Sequence, residues 1–253
     1  MRLGGDPDIK DTDFGISIYG VNTDVDAAED IWSGGGDFDW TKVAANATTT
    51  IESSSVADDG SPVGTGARTV VVEGLVSTTV KGRVGGKIAR ETVTLDGTTA
   101  VTLTNLFMFV YRVHVLTAGS GNANAGLLSV KHSTDVIARV EIGANITESA
   151  FMIVPHFTTM NATIHGAYIH SWYAGTVIST AADANLVLQH AHPDTTIWHN
   201  IRRGCLTIYN DVNQIFHVPP FFEPGTKLRI RATAVSAGNQ SIAGNFELEY
   251  QVG

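Results

Sequence analysis

A chain of 253 residues with 43% hydrophobic and 16% charged residues is long enough to bury a sizeable core, and its single cysteine excludes an intramolecular disulfide. A net charge of −9 at pH 7 offers no stripe for tracking phosphates, so nucleic acid is not an expected partner. No apolar run is long enough to form a membrane-spanning helix, and a membrane is not expected either.

The opening MRLGGDPDIKDTDFG has no apolar run behind its arginine and does not read as a signal peptide. Residues 1–40 hold ten carboxylates against Arg2 and Lys10, so they carry −8 of the chain's −9. With Gly4-Gly5 and Gly34-Gly35-Gly36 among them, residues 1–45 read as an acidic extended N-terminal arm that is mobile in the free protein and docks on a neighbouring subunit through Trp32 and Trp40. Asp24 to Trp32 is the one place for a short helical turn. The acidic pairs Asp6/Asp8, Asp11/Asp13, Asp24/Asp26 and Asp37/Asp39 do not continue into a calcium-loop pattern and read as solvated charge.

Residues 46–253 read as a β-sandwich domain. A strand is expected at Thr49 to Ser55 and another at Arg68 to Glu73. Gly82-Arg83-Val84-Gly85-Gly86-Lys87 lacks the spacing of a phosphate loop and reads as a basic hairpin tip. RETVTLDGTTAVTL, Arg90 to Leu103, alternates apolar and polar residues on both sides of Asp96-Gly97. Face counting predicts a hairpin with a three-residue loop, Asp96 to Thr98, that pairs Val93 with Val101. Phe107 to Leu116, apolar on both faces, reads as a central, doubly covered strand. Ala118 to Gly126 is a loop. Ten further strands follow at roughly ten-residue spacing up to Gln251, with no helical period among them. The fold class expected is all-β: an antiparallel β-sandwich, jelly-roll-like.

Candidate chemistry is sparse. His190 and His192 share a strand face in the manner of a two-histidine metal motif, but the carboxylate expected shortly after them is missing, and no metal is expected. Cys205 lies in a strand-like run and reads as a small buried hydrophobe. No nucleophile elbow or other catalytic constellation occurs, so neither a catalytic residue nor a cofactor is expected. Tyr168, His170 and Trp172 alternate along one strand. Such a stripe is core, a subunit contact or a platform for sugars, and the sequence leaves all three open.

Ile31-Trp32-Ser33-Gly34-Gly35-Gly36 with Phe38 and Trp40, Ser53 to Leu75, Glu91 to Thr102, Val115 to Gly126 and Phe222 to Ala232 together resemble virion structural proteins of tailed bacteriophages. The resemblance implies a non-enzymatic virion protein, most simply a capsid cement or decoration subunit. It implies as partners other copies of the chain, as a homotrimer, and neighbouring virion proteins such as the major capsid protein. Trp32, Trp40, Tyr168, His170 and Trp172 are the candidate interface residues. The alternative is a tail-associated carbohydrate- or receptor-binding module.

Overall fold

The computed structural model describes residues 14–43, 47–60, 63–176, 183–207, 211–236, 238 and 240–253. In chain order the strands are β1 (Phe14–Val25), β2 (Thr49–Ser53), β3 (Ala67–Val80), β4 (Arg83–Thr94), β5 (Val101–Thr102), β6 (Phe107–Ala118), β7 (Leu128–His132) and β8 (Asp135–Val140). They continue with β9 (Phe151–Ile153), β10 (Ile164–Thr176), β11 (Ala184–Ala191), β12 (His199–Leu206), β13 (Val212–Ile215), β14 (Phe221–Phe222), β15 (Lys227–Val235) and β16 (Gln240–Val252). Among the described residues all strand pairs are antiparallel. Among the described residues the one helical element is a 3-10 turn at Trp40–Lys42, in which the Thr41 N–H donates to the Asp39 carboxylate. Asp24 to Trp32, expected to hold a helical turn, is instead the end of β1 and a bend stitched by side chains.

The chain divides into two compact units. One comprises residues up to Asp37 together with Ser149–Gly253, and the other comprises Phe38–Glu148. The division expected at 45/46 does not coincide with this one, because residues 14–37 belong to the first unit and the second is inserted between β1 and β9.

In the first unit one sheet has the order β1-β16-β10-β13, with β14 continuing along β10 beyond β13. The other has the order β12-β11-β15-β9. Taking β13 and β14 as one interrupted strand, first pairs with last (β1·β16), second with seventh (β9·β15), third with sixth (β10·β13/β14) and fourth with fifth (β11·β12). These are the rungs of one long hairpin, laid alternately in two sheets and closed by β10·β16 and β11·β15. That is a jelly roll, as expected. Ile169, Trp172, Phe246, Leu248 and Tyr250 of the first sheet and Leu186, Leu188, Leu228 and Ile230 of the second are all buried. Each contributes about 1.5–3 kcal/mol for leaving water. The sheets come close at Gly244, where a Cβ would meet Ile230 Cδ1 at 2.9 Å.

The expected arm is therefore largely structural. β1 pairs with β16 from Phe14↔Tyr250 to Val25↔Gln240. Glu29, Asp30 and Asp37, which follow it, find partners inside the same unit. Fully buried Asp30 lies 3.0 Å from Arg229 and 3.2 Å from Arg231, and Asp37 also pairs with Arg231. Glu29, also buried, accepts from Asn22 Nδ2 (3.1 Å), the Asp26 N–H (2.8 Å) and the Gly36 N–H (2.5 Å). Repulsion within the acidic segment is thus offset by fixed donors, which a count of charges cannot reveal. Residues 1–13 lie outside the described residues.

The second unit pairs the sheet β5-β2-β7-β8 with the sheet β4-β3-β6. Ile51, Val70, Val72, Val93, Leu103, Val110, Leu128 and Val140 from both sheets form one core. The β3–β4 hairpin turns on Lys81 and Gly82, with Val80 opposite Arg83 and φ of 50° and 79° at the two turn residues. Positive φ at both turn positions is the turn whose twist suits a two-residue hairpin. The basic tip is where it was expected, though Arg83 to Lys87 are already strand.

Two expectations need correction here. The chain does turn after Leu95, with the Thr99 N–H donating to Asp96 O (2.9 Å), but Val93 and Val101 do not pair. β4 pairs with β3 and β5 with β2, so the turn carries the chain from one sheet to the other across the core they share. Alternation reports which face is buried and is silent on which strand lies alongside. Similarly, β3 rather than β6 is the central strand; the 145–147 segment bonds along the other edge of β6 at Val113 and Val115, and Phe38 and Trp40 pack on Phe109.

Candidate interaction surface

Where β10 crosses the first sheet of the jelly roll, a bulge decides which side chains face outward. Ile169 stands opposite Leu248 and Ser171 opposite Glu247, so His170 is an extra residue. An inserted residue breaks the two-residue period. Trp172 is thereby turned into the core, fully buried, with its Nε1 donating to Gln214 Oε1 (3.1 Å). The stripe Tyr168, His170, Trp172 read from simple alternation does not exist. Tyr168 and His170 stay at the outer face, half exposed.

The register assembles that face row by row. Tyr168 lies between Glu249 and Phe221, Ser171 between Glu247 and Ile215, and Tyr173 between Asn245 and Asn213. The rings of Tyr168 and Phe221 are 5.0 Å apart. His170 Nε2 lies 2.7 Å from the Glu249 carboxylate, and Ser171 Oγ donates to Glu247 (2.9 Å). Tyr173 donates to Asp211 (2.9 Å), and burial together with that hydrogen bond raises its phenol pKa. Along the β13/β14 edge Ile215 is 74%, Val218 85% and Phe221 45% exposed. Apolar side chains at an unpaired strand edge mark a surface suited to a partner.

The outer face of the second sheet is different in character. Val187 on β11 forms a floor between Arg203 on β12 and Arg231 on β15. Around it Asn185, Gln189, Asn200, Arg203 and Thr233 line an open groove of about 460 Å³. The side-chain amides of Gln189 and Asn200 are 2.8 Å apart, and the Asn200 amide is 2.8 Å from the Arg203 guanidinium. Arg229 Nε donates to Gln189 Oε1 (3.0 Å), and its guanidinium lies 3.9 Å over the Trp198 ring. The groove is a polar, hydrogen-bonding surface with Arg203 exposed on one wall.

Solved structures with some likeness include the Gx strain of infectious bursal disease virus (12% identity, 98% of this chain and 75% of that one, TM-score 0.24) and a VP2 subviral particle of infectious bursal disease virus (13%, 98% and 74%, TM-score 0.21). Likeness at these scores adds nothing to the topology described above. No protein-family model matches the chain, and no curated protein matches it.

The remaining candidate residues fall elsewhere. Trp32 is 6% exposed, packs at 5.8 Å on Phe151 and donates from Nε1 to Gly36 O (3.1 Å), so it anchors its own unit and presents no surface knob. Trp40, in the second unit, stacks on Phe109 at 6.0 Å. Cys205 is exposed, contrary to expectation, because β12 is an edge strand and its inward position at this end is taken by Leu206. His190 packs on His199 and Phe222, while His192 lies 2.6 Å from Glu223. Among the described residues no group of three or more His, Cys, Asp or Glu is placed to hold a metal ion. Arg203, Glu247, Glu249 and Phe221 were not singled out by the sequence. Only the register of the sheets brings them into view.

Proposed function

We propose that this chain is a non-enzymatic structural subunit of a virus particle, associated with the capsid of a tailed bacteriophage as a cement or decoration protein. The observation that carries the reading is the jelly roll of the first unit, an architecture that viral capsid proteins share with lectins. The apolar β13/β14 edge supplies the contact area such a subunit needs, and the resemblance of the turn and strand segments points the same way. Partners on this reading are further copies of the chain and the major capsid protein.

Electron microscopy of particles carrying a tag on this chain tests it directly. Regularly arrayed density on the shell, with particles lacking the chain losing resistance to heat, is the expected result. Absence of the tag from purified particles would falsify the reading.

One feature favours the tail-associated glycan-binding alternative: Tyr168 and Tyr173 stand among Glu247, Glu249 and Asn245, a mixture of aromatic faces and hydrogen-bonding groups that suits sugars. A glycan array separates the two. Selective binding abolished by Tyr168→Ala favours the alternative, and an empty array favours the cement role.

A further inference from the structure

The two outward faces of the jelly roll differ in charge. Among the described residues, the strands of the β1-β16-β10-β13 sheet carry Asp24, Glu247 and Glu249 and neither Lys nor Arg. The strands of the β12-β11-β15-β9 sheet carry Arg202, Arg203, Lys227, Arg229 and Arg231 and neither Asp nor Glu; Asp30 and Asp37 of the preceding segment lie against Arg229 and Arg231, and Arg202 stands opposite the core residue Leu188, so Arg203 carries the open positive charge of the groove. We propose that these faces bind each other between copies of the chain: the Glu247/Glu249 face of one copy packs on the Arg203 groove of the next.

The partners are distinguished by what is already satisfied. Arg229 and Arg231 are held by Asp30 and Asp37, and Arg202 lies 4.9 Å over the Phe216 ring. Arg203 is exposed and, among the described residues, makes no ion pair with a carboxylate; the Asn200 amide orients it toward the groove. On the opposite face Glu247 is exposed and bonded by the Ser171 hydroxyl, which leaves acceptor capacity for a guanidinium. A guanidinium meeting carboxylates supplies register and orientation. Ile215, Phe221 and Tyr168 beside the carboxylates supply apolar area, and Asn185, Gln189 and Thr233 around the groove supply donors and acceptors for the rim. Because the two faces lie on opposite sides of one sandwich, the contact is heterologous. It propagates from copy to copy and cannot be closed by a two-fold axis.

This contact deepens the structural-subunit reading by naming the partner, and rests on that reading for its setting in a particle. It is tested on the purified full chain, by light scattering across a dilution series. The expected result is concentration-dependent association, extending beyond dimers, that weakens about tenfold or more between about 50 and about 500 mM salt as the charges are screened. R203E and E247R, both at exposed positions, each abolish association alone while keeping the wild-type melting temperature. An equimolar mixture of R203E with E247R associates again, since each altered face then meets a complementary one. A wild-type chain that stays monomeric, single variants that associate like wild type, a mixture that stays monomeric, or a sugar or capsid partner that occupies the groove without self-association would overturn the proposal. The two readings fail separately. A chain that self-associates as described yet is missing from particles sinks the virion role and leaves this contact standing, whereas a chain found in particles but monomeric when purified sinks the contact.

Discussion

Asp30 is the residue on which the first unit's N-terminal segment hangs. It is fully buried between two arginines whose side chains are themselves largely covered, so removing it strands Arg229 in a place with little water and leaves Arg231 with Asp37 alone. Breaking a buried pair in this way costs about 3–5 kcal/mol. Asp30→Ala is therefore expected to lower the urea midpoint sharply, and an unchanged midpoint would show that Asp37 alone holds the arginines. His190 makes a second prediction at this scale. Burial, reinforced by the nearby His199 and His192, lowers its pKa below that of an ordinary imidazole. As pH falls below the ordinary histidine value of about 6.5, the unfolded chain takes up the proton first, so the stabilisation present above that pH is lost on acidification. The fall in melting temperature between neutral pH and mildly acidic pH should be smaller in His190→Gln, measured side by side with the parent chain.

At the level of elements, the β3–β4 hairpin can be tuned through its turn. Lys81 sits at φ 50°, a conformation that Asn adopts more readily than Lys, and Gly82 has open space around it. Lys81→Asn should stabilise the chain by about 0.5–1 kcal/mol, and Gly82→Val should cost about 1–2 kcal/mol from backbone strain alone, both read from chemical denaturation. β1 is the element where sequence reading and structure differ most. The charge count around it suggested a detachable arm, but its alternating Ile16, Ile18 and Tyr19-Gly20-Val21 form a strand that covers the edge of β16. Deleting residues 1–40 is accordingly expected to unfold the first unit rather than leave it intact, seen as a loss of β-sheet circular dichroism. Strand positions such as β2 and β15 were legible because one face is buried and the period-two pattern records that, and β6 because an unbroken apolar run marks a strand covered on both faces. Partnership was not legible: nothing local tells Val93 that Val101 belongs to the other sheet. Nor does anything announce the bulge at His170, which depends on how β10 fits β16 and determines whether Trp172 is surface or core. The outer-face residues were invisible for the same reason, since they become neighbours only across strands distant in sequence.

On the scale of the whole chain, the second unit is an insertion whose points of departure and return lie side by side in the first. Ile31 O accepts from the Ala150 N–H at 2.8 Å, and Trp32 bridges to Ser149. Insertions between adjacent surface positions are the kind a fold tolerates. Excising residues 38–148 and joining Asp37 to Ser149 through a short Gly/Ser linker should give a cooperatively melting all-β protein. The excised segment, with its own two-sheet core, should do the same. Failure of either piece to melt cooperatively would show that the two halves fold only together.

The nesting of the hairpin rungs also sets a timetable for folding. β11 and β12 are close in sequence and can meet early, whereas β1 leaves the ribosome more than two hundred residues before its partner β16. Closing so long a loop is slow relative to forming the local pairs. Throughout synthesis β1 therefore waits with its hydrogen-bonding edge unclaimed, the condition in which strands are captured by neighbouring chains. A pulse-labelling hydrogen-exchange experiment should find the amides of β1 and β16 protected last, and C-terminal truncations that remove β16 should aggregate rather than remain soluble as shorter sandwiches.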